Sequence, residues 1–339
     1  MKLPAGKLPP ELLRSLLASL PGSDPSVVVG GAVGEDAAVI DTGGPELLVA
    51  KTDPITFAGE NAGAYLLAVN SNDLAAMGAE PRWLLVTALL PEGVEPASAA
   101  RIFESLRCAC GSAGVSIVGG HTEITVGLDR PVLVGCLLGT VRRDRLVRTA
   151  GAHAGDAILL AGGVAIEGTA NLAREHADAL RAAGVEESVI ARAAGWLEDP
   201  GISVLPAARA INAGGTVHSM HDPTEGGVVT ALREVAEAAG VGLLIDADAI
   251  PVLPECRIIC EALGIEPLGL LASGALLATL DSSEADEALE RLRRSGIPAA
   301  RIGEIVPPNA GREDLPVFAR DELARYLESV RGKRDHNDY

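Results

Sequence analysis

Aromatic side chains are nearly missing from this sequence: they make up 2% of its residues, against 48% hydrophobic residues in all. Any core must therefore be filled by Ala, Val, Leu and Ile among 39 glycines, a mixture that suits α/β layers joined by tight turns. Positive charge is scarce too. Lys and Arg number 28 against 46 Asp and Glu, a formal net charge of -18. Such a molecule repels phosphate backbones and anionic membranes, so neither nucleic acid nor a membrane surface is expected as a partner. An anionic small ligand stays compatible where helix N-termini, backbone amides or a divalent cation supply positive potential locally.

No apolar run reaches the ~18 residues that cross a bilayer, and the first residues do not resemble a signal peptide. The five cysteines, Cys108, Cys110, Cys136, Cys256 and Cys260, form no CxxC pair and have no histidine at zinc spacing. A reduced, cytoplasmic setting is expected. Cys256 and Cys260, four apart on an expected helix, read as buried small apolar residues. The sequence also lacks a GxSxG elbow, a Walker GxxxxGKS/T run and a GxGxxG run, which disfavours a serine hydrolase and the commonest nucleotide loops. Internal repeats and low-complexity segments are absent.

The length, 339 residues, suits two domains of roughly 150 residues each. From Val27 to about Val141 strands dominate (Ala37 to Ile40, Leu47 to Ala50, Leu84 to Leu89, Val132 to Val134), with helices expected near Asn61 to Met77 and Pro96 to Ala113. The loop Gly151 to Asp156 divides a domain 1–150 from a domain 151–339. Beyond it strands and helices alternate: strands Ala157 to Ala161, Thr216 to Ser219, Val241 to Ile245 and Leu276 to Leu280; helices from Ile166, Glu225 to Ala239 and Ser283 to Arg294. That half reads as α/β or α+β, and the polar tail Arg331 to Tyr339 is expected to fray.

Acidic residues recur at the ends of apolar strands, where α/β ligands usually sit. Glu35-Asp36 follows Gly34 and precedes one strand, and Thr52-Asp53 closes the next. Asn72-Asp73 falls inside an apolar helix, where a buried charge is costly unless paired or bound to metal. Val118-Gly119-Gly120-His121-Thr122-Glu123 runs from a strand into a double glycine, as where backbone approaches a ligand closely or makes a hairpin turn. His221-Asp222-Pro223-Thr224 offers another strand-end acid, and Thr224 a candidate helix cap. Gly155-Asp156, Gly162-Gly163 and Glu167-Gly168-Thr169 flank a strand-to-helix turn of the kind that cradles phosphate. Carboxylates for Mg²⁺ and amides for a polyphosphate are what phosphoryl transfer chiefly requires.

In this order the motifs resemble the signature series of the AIR synthase (PurM-like) superfamily: Gly34-Glu35-Asp36-Ala37-Ala38-Val39, Thr52-Asp53, Asn72-Asp73-Leu74-Ala75-Ala76-Met77-Gly78-Ala79, Gly119-Gly120-His121-Thr122, Gly155-Asp156 and His221-Asp222-Pro223-Thr224-Glu225-Gly226-Gly227. The similarity covers about residues 25 to 310. It implies a two-domain α/β fold whose N-terminal strands complete a β-barrel across a homodimer, with ATP between the domains. It also implies Asp36, Asp53 and Asp73 as magnesium ligands, with Glu123 a further candidate. Asp73, Asp222 and His121 would be the catalytic residues. Gly30, Gly31, Asp36, Asp53, Asn72, Gly119, Gly120, Thr122, Gly155, Gly162 and Gly163 would contact the nucleotide.

Within the superfamily the second half is most similar to the hydrogenase maturation factor HypE, and the first half is equally similar to thiamine-monophosphate kinase. Three positions depart from HypE. The chain ends Asn337-Asp338-Tyr339 without the terminal cysteine that carries HypE's carboxamide, so that reaction on its own tail is not expected. His121 stands where the family commonly has Asp, and imidazole is a poor magnesium ligand, which makes Glu123 the substitute candidate. His221 replaces an arginine. The expectation is an ATP- and Mg²⁺-dependent phosphotransferase acting on an oxygen of an unidentified small-molecule or protein-bound substrate. The alternatives are a thiamine-monophosphate-kinase-like enzyme and a non-catalytic nucleotide-binding maturation factor.

Overall fold

The computed structural model describes residues 3, 8–22, 24–31, 35–56, 61–215, 217–311 and 315–337, with the backbone alone at residues 10 and 331–337. Gly34 and Thr216, which entered the expectations above, lie outside the described residues, as do Asp338 and Tyr339. The chain forms two units, Met1–Leu146 and Val147–Tyr339. No helix among the described residues is long and apolar enough to cross a membrane.

The first unit contains α1 (Pro10–Ala18), β1 (Val27–Val29), β2 (Ala38–Ile40), β3 (Glu46–Ile55), α2 (Ala62–Ala76), β4 (Glu80–Pro91), α3 (Pro96–Ala113), β5 (Ser116–Thr125) and β6 (Val132–Arg142). Its strands form one sheet in the order β1-β2-β3-β6-β4-β5, antiparallel except for the β4/β5 pair. Period-two alternation gives the sheet two unlike faces. Leu47, Val49, Leu84, Ala88, Leu133, Leu137 and Val141 are buried on the face that α2 covers, and α3 packs against α2. The other face shows Leu48, Ala50, Leu89, Val134, Cys136 and Leu138, all half-buried. β5 is exposed along almost its whole length, including Ile117, Val118 and Ile124.

The double glycine expected to mark a ligand approach or a hairpin turn instead lies in the middle of β5. Gly120 takes φ 147, and a Cβ there would fall 1.8 Å from the Val86 carbonyl oxygen. Close packing on β4, with a register shift between Leu84 and Leu85, therefore demands glycine at this point.

The second unit comprises β7 (Asp156–Ala161), α4 (Ile166–Glu175), α5 (Ala177–Ala182), α6 (Glu187–Ala194), α7 (Leu205–Asn212), β8 (Val217–His221), α8 (Gly227–Ala239), β9 (Gly242–Ile245), α9 (Pro254–Leu263), β10 (Leu276–Asp281), α10 (Ala285–Arg294), β11 (Ala299–Val306) and α11 (Glu322–Asn337). The sheet order is β8-β10-β7-β11-β9, every pair antiparallel. β7 is central and all six of its residues are buried. Ala157, Leu159 and Leu280 pack with Ala285 and Ala288, which seats α10 on the sheet. The tail expected to fray is helical as far as Asn337; its helix is fixed at the start by Asp321, which accepts from the Leu323 amide at 2.8 Å, and by the buried Tyr326.

Register defines two ends of this second sheet. Asp156 pairs with Asp281 at one end, while Ala161 pairs with Leu276 and His221 with Leu277 at the other. β7 and β8 run the same way, so their C-terminal ends share one edge and their N-terminal ends the opposite one.

Candidate functional site

In the first unit three expected residues gather around a cation. Lys51 and Asp53 lie two apart on β3 and so share a face, the one beneath α2. The Lys51 ammonium lies 3.3 Å from Asp53 Oδ2 and 3.1 Å from Asp73 Oδ1, with Asp73 supplied by α2. All three side chains are largely buried, at 22%, 31% and 11% exposed. Asp36 is buried two residues before β2, whose Ala38 pairs with Ala50, so it enters at the β3 end that carries Lys51 and Asp53.

The scaffold beneath these acids is polar and specific. Asn70 is fully buried; its Oδ1 accepts from the Asp53 amide at 3.0 Å and its Nδ2 donates to the Leu66 carbonyl at 2.9 Å. Room for it comes from Gly135, where a Cβ would stand 2.8 Å from Asn70 Nδ2. Asn72 and Asp73 are buried in α2, as the apolar neighbours of that pair implied. Gly30 and Gly31 are exposed just after β1.

The structure does not bring His121, Thr122 or Glu123 to this cluster. His121 pairs with Thr87, Thr87 with Val134, and Val134 with Pro54, so three strand spacings, about 14 Å, separate β5 from β3. His121 Nε2 and Glu123 Oε2 are 3.4 Å apart and both side chains are exposed.

In the second unit Gly162, Gly163, His221 and Asp222 share the C-terminal edge of the sheet. Gly162 has φ 86, and a Cβ there would meet the Gly274 carbonyl oxygen at 2.2 Å. Two amides at the start of α4 already donate to loop carbonyls, Glu167 to Ser273 at 3.4 Å and Gly168 to Leu271 at 3.0 Å. Packing thus accounts for part of what resembled an open phosphate cradle. His221 is buried with Nε2 2.9 Å from Glu234 Oε2, and Asp222 is buried beside it. Thr224 does not cap the next helix: α8 starts at Gly227, and the Gly226 amide donates to Asp321 Oδ2 at 2.8 Å. Gly155 stands at the other end of β7 from Gly162, roughly 20 Å away over six residues, so the two glycines do not line one turn.

Lys51 and Asp321 were missed by sequence reasoning, and Glu167 entered it only as part of the Glu167-Gly168-Thr169 turn. Lys51 carried a usable signal, its two-residue offset from Asp53 on an apolar strand. Glu167 is buried in the first turn of α4, and burial pushes its carboxyl up to about 7; Glu225 and Asp321 nearby push the same way, against a hydrogen bond with Ser273. An acid amid Ile166, Gly168, Thr169 and Ala170 was the available clue. Asp321, raised chiefly by burial, had none, since it comes from the far end of the chain.

The N-terminal domain model of AIR synthase related proteins matches residues 34–141, and the C-terminal domain model matches residues 153–315. Carbamoyl dehydratase HypE of Cupriavidus necator is 34% identical over 260 residues, which cover 75% of this chain and 70% of that protein. A crystal structure of the hydrogenase maturation protein HypE in complex with ATP aligns with a TM-score of 0.66 at 28% identity, over 80% of each chain. Thiamine-monophosphate kinase from Aquifex aeolicus shares the fold, with a TM-score of 0.67 at 20% identity over 87% of this chain and 92% of that one.

Proposed function

The chain belongs to the AIR synthase related protein family and has its PurM-like fold, and from that premise we propose that it binds ATP with Mg²⁺ and transfers a phosphoryl group to an oxygen of a small-molecule or protein-bound substrate. The observation that carries this is the Lys51 ammonium held between Asp53 and Asp73. Two carboxylates already converge on one cation there, and oxygen donors of this kind suit Mg²⁺. Asp53 and Asp73 would hold the ion, with Asp36 entering at the same strand end. Bound magnesium would neutralise charge on the phosphate oxygens.

The chain's own residues supply the rest. Asn70 fixes the backbone of Asp53, and Lys51 would pair with phosphate where Asp53 and Asp73 held a divalent ion. In the second unit Gly162, Gly163 and Asp222 form the proposed ligand edge, while Gly155 falls outside it.

The same proposal includes a homodimer and a cytoplasmic setting. The half-buried apolar face of the first sheet and the exposed strand β5 favour a second copy closing that sheet into a barrel. The five cysteines are all free, as a reducing compartment requires. The test is ATP affinity with and without Mg²⁺, for the wild type and for Asp73→Asn. Affinity that rises with Mg²⁺ and loses that dependence in the variant supports the assignment. Affinity indifferent to both overturns it.

A further inference from the structure

We propose that the edge of the second-unit sheet opposite Asp222 carries a site for a borderline transition-metal ion such as Zn²⁺, held by His153, Asp156 and His218. One donor atom from each of the three lies within 4.8 Å of the others. The residues arrive from separate segments: His153 from the turn before β7, Asp156 as the first residue of β7, and His218 from β8.

The arrangement is built rather than incidental. Asp156 is 3% exposed, and both of its carboxylate oxygens are fixed: the His153 amide donates to Oδ2 at 2.8 Å, and His218 Nδ1 lies 2.8 Å from Oδ1. The two imidazoles meet edge to face with centroids 4.8 Å apart. Asp281 is paired in register with Asp156 at the same end of the sheet.

Imidazole nitrogens with a carboxylate oxygen select zinc-like ions over Mg²⁺ or Ca²⁺. Bonds of ~2.0–2.1 Å to nitrogen set tetrahedral ligand atoms about 3.4 Å apart. The His218–Asp156 pair is already near that spacing, and the exposed His153 ring needs only to rotate inward. Water would complete the coordination. The site stands roughly 20 Å along β7 from Gly162, so it is independent of the ATP assignment.

The experiment titrates Zn²⁺ into the chelator-stripped full chain against a chromophoric chelator, with ATP affinity measured in parallel. One Zn²⁺ per chain is expected. Its affinity should fall roughly 10-fold or more in His153→Ala and in His218→Ala, and roughly 10–100-fold in Asp156→Asn. Cys256→Ser and His121→Ala should leave it unchanged. His153 is exposed, so its substitution tests the site with the fold intact, which circular dichroism checks. No zinc uptake by the wild type, or uptake that His153→Ala and His218→Ala leave unaltered, overturns the proposal whatever the ATP result.

Discussion

The two units bury carboxylates in opposite ways. In the first, Asp53 and Asp73 converge on an ammonium, Lys51, supplied by the strand that carries Asp53. In the second, Glu167 lies near Glu225 and Asp321, and its affinity for a proton rises. In the first the acids share one cation; in the second they face other acids, and a proton is held more tightly instead. A carboxylate's surroundings therefore decide its chemistry more than its place in a motif.

The largest expected effect tests the proton side. Glu167 has an ordinary pKa of 4.5 and a folded value of about 7, so the folded state binds the proton more tightly. Stability is full below 4.5, falls as pH rises toward 7 and is flat above. Glu167→Gln removes that loss. Urea denaturation should show the variant more stable at pH 8 by on the order of 3 kcal/mol, with no gain at pH 4. A gain independent of pH would break the contrast.

On the cation side, Asp53→Asn with Asp73→Asn should weaken Mg²⁺-dependent ATP binding about 100-fold, or about 2.7 kcal/mol, by calorimetry. Lys51→Met should cost about 2 kcal/mol by leaving two acids facing each other, a partly exposed version of a broken ion pair. Added Mg²⁺ should restore more stability to this variant than to the wild type. Equal restoration would mean the acids do not share the ion. The smallest effect belongs to Asp321→Ala, which removes the acceptor for the Gly226 and Leu323 amides and should cost about 1 kcal/mol. Losing that neighbouring acid should also move the titration of Glu167 downward.

Much of this was legible in the sequence, because local chemistry specified it. The strand run Val132 to Val134, the helix Pro96 to Ala113 and the burial of Asn72-Asp73 in an apolar helix all required only neighbouring residues to interpret. The double glycine Gly119-Gly120 resembled a turn because the carbonyl it accommodates, that of Val86, belongs to a strand more than thirty positions earlier. Gly155 and Gly162 looked like parts of one turn since only six residues separate them, yet those six are extended and put them at opposite ends of β7. Asp156 and His218 are 62 positions apart, and register alone brings them together.

β7 has a kinetic consequence. It is hydrogen-bonded on both sides and all six of its residues are buried. Its amides can exchange with deuterium only when the whole second unit opens, whereas those of the edge strand β5 can exchange through local fraying. The slowest-exchanging peptide, spanning Asp156–Ala161, thus reports the global unfolding free energy of that unit directly, and serves as an internal clock against which loosening by ligand, metal or mutation can be timed.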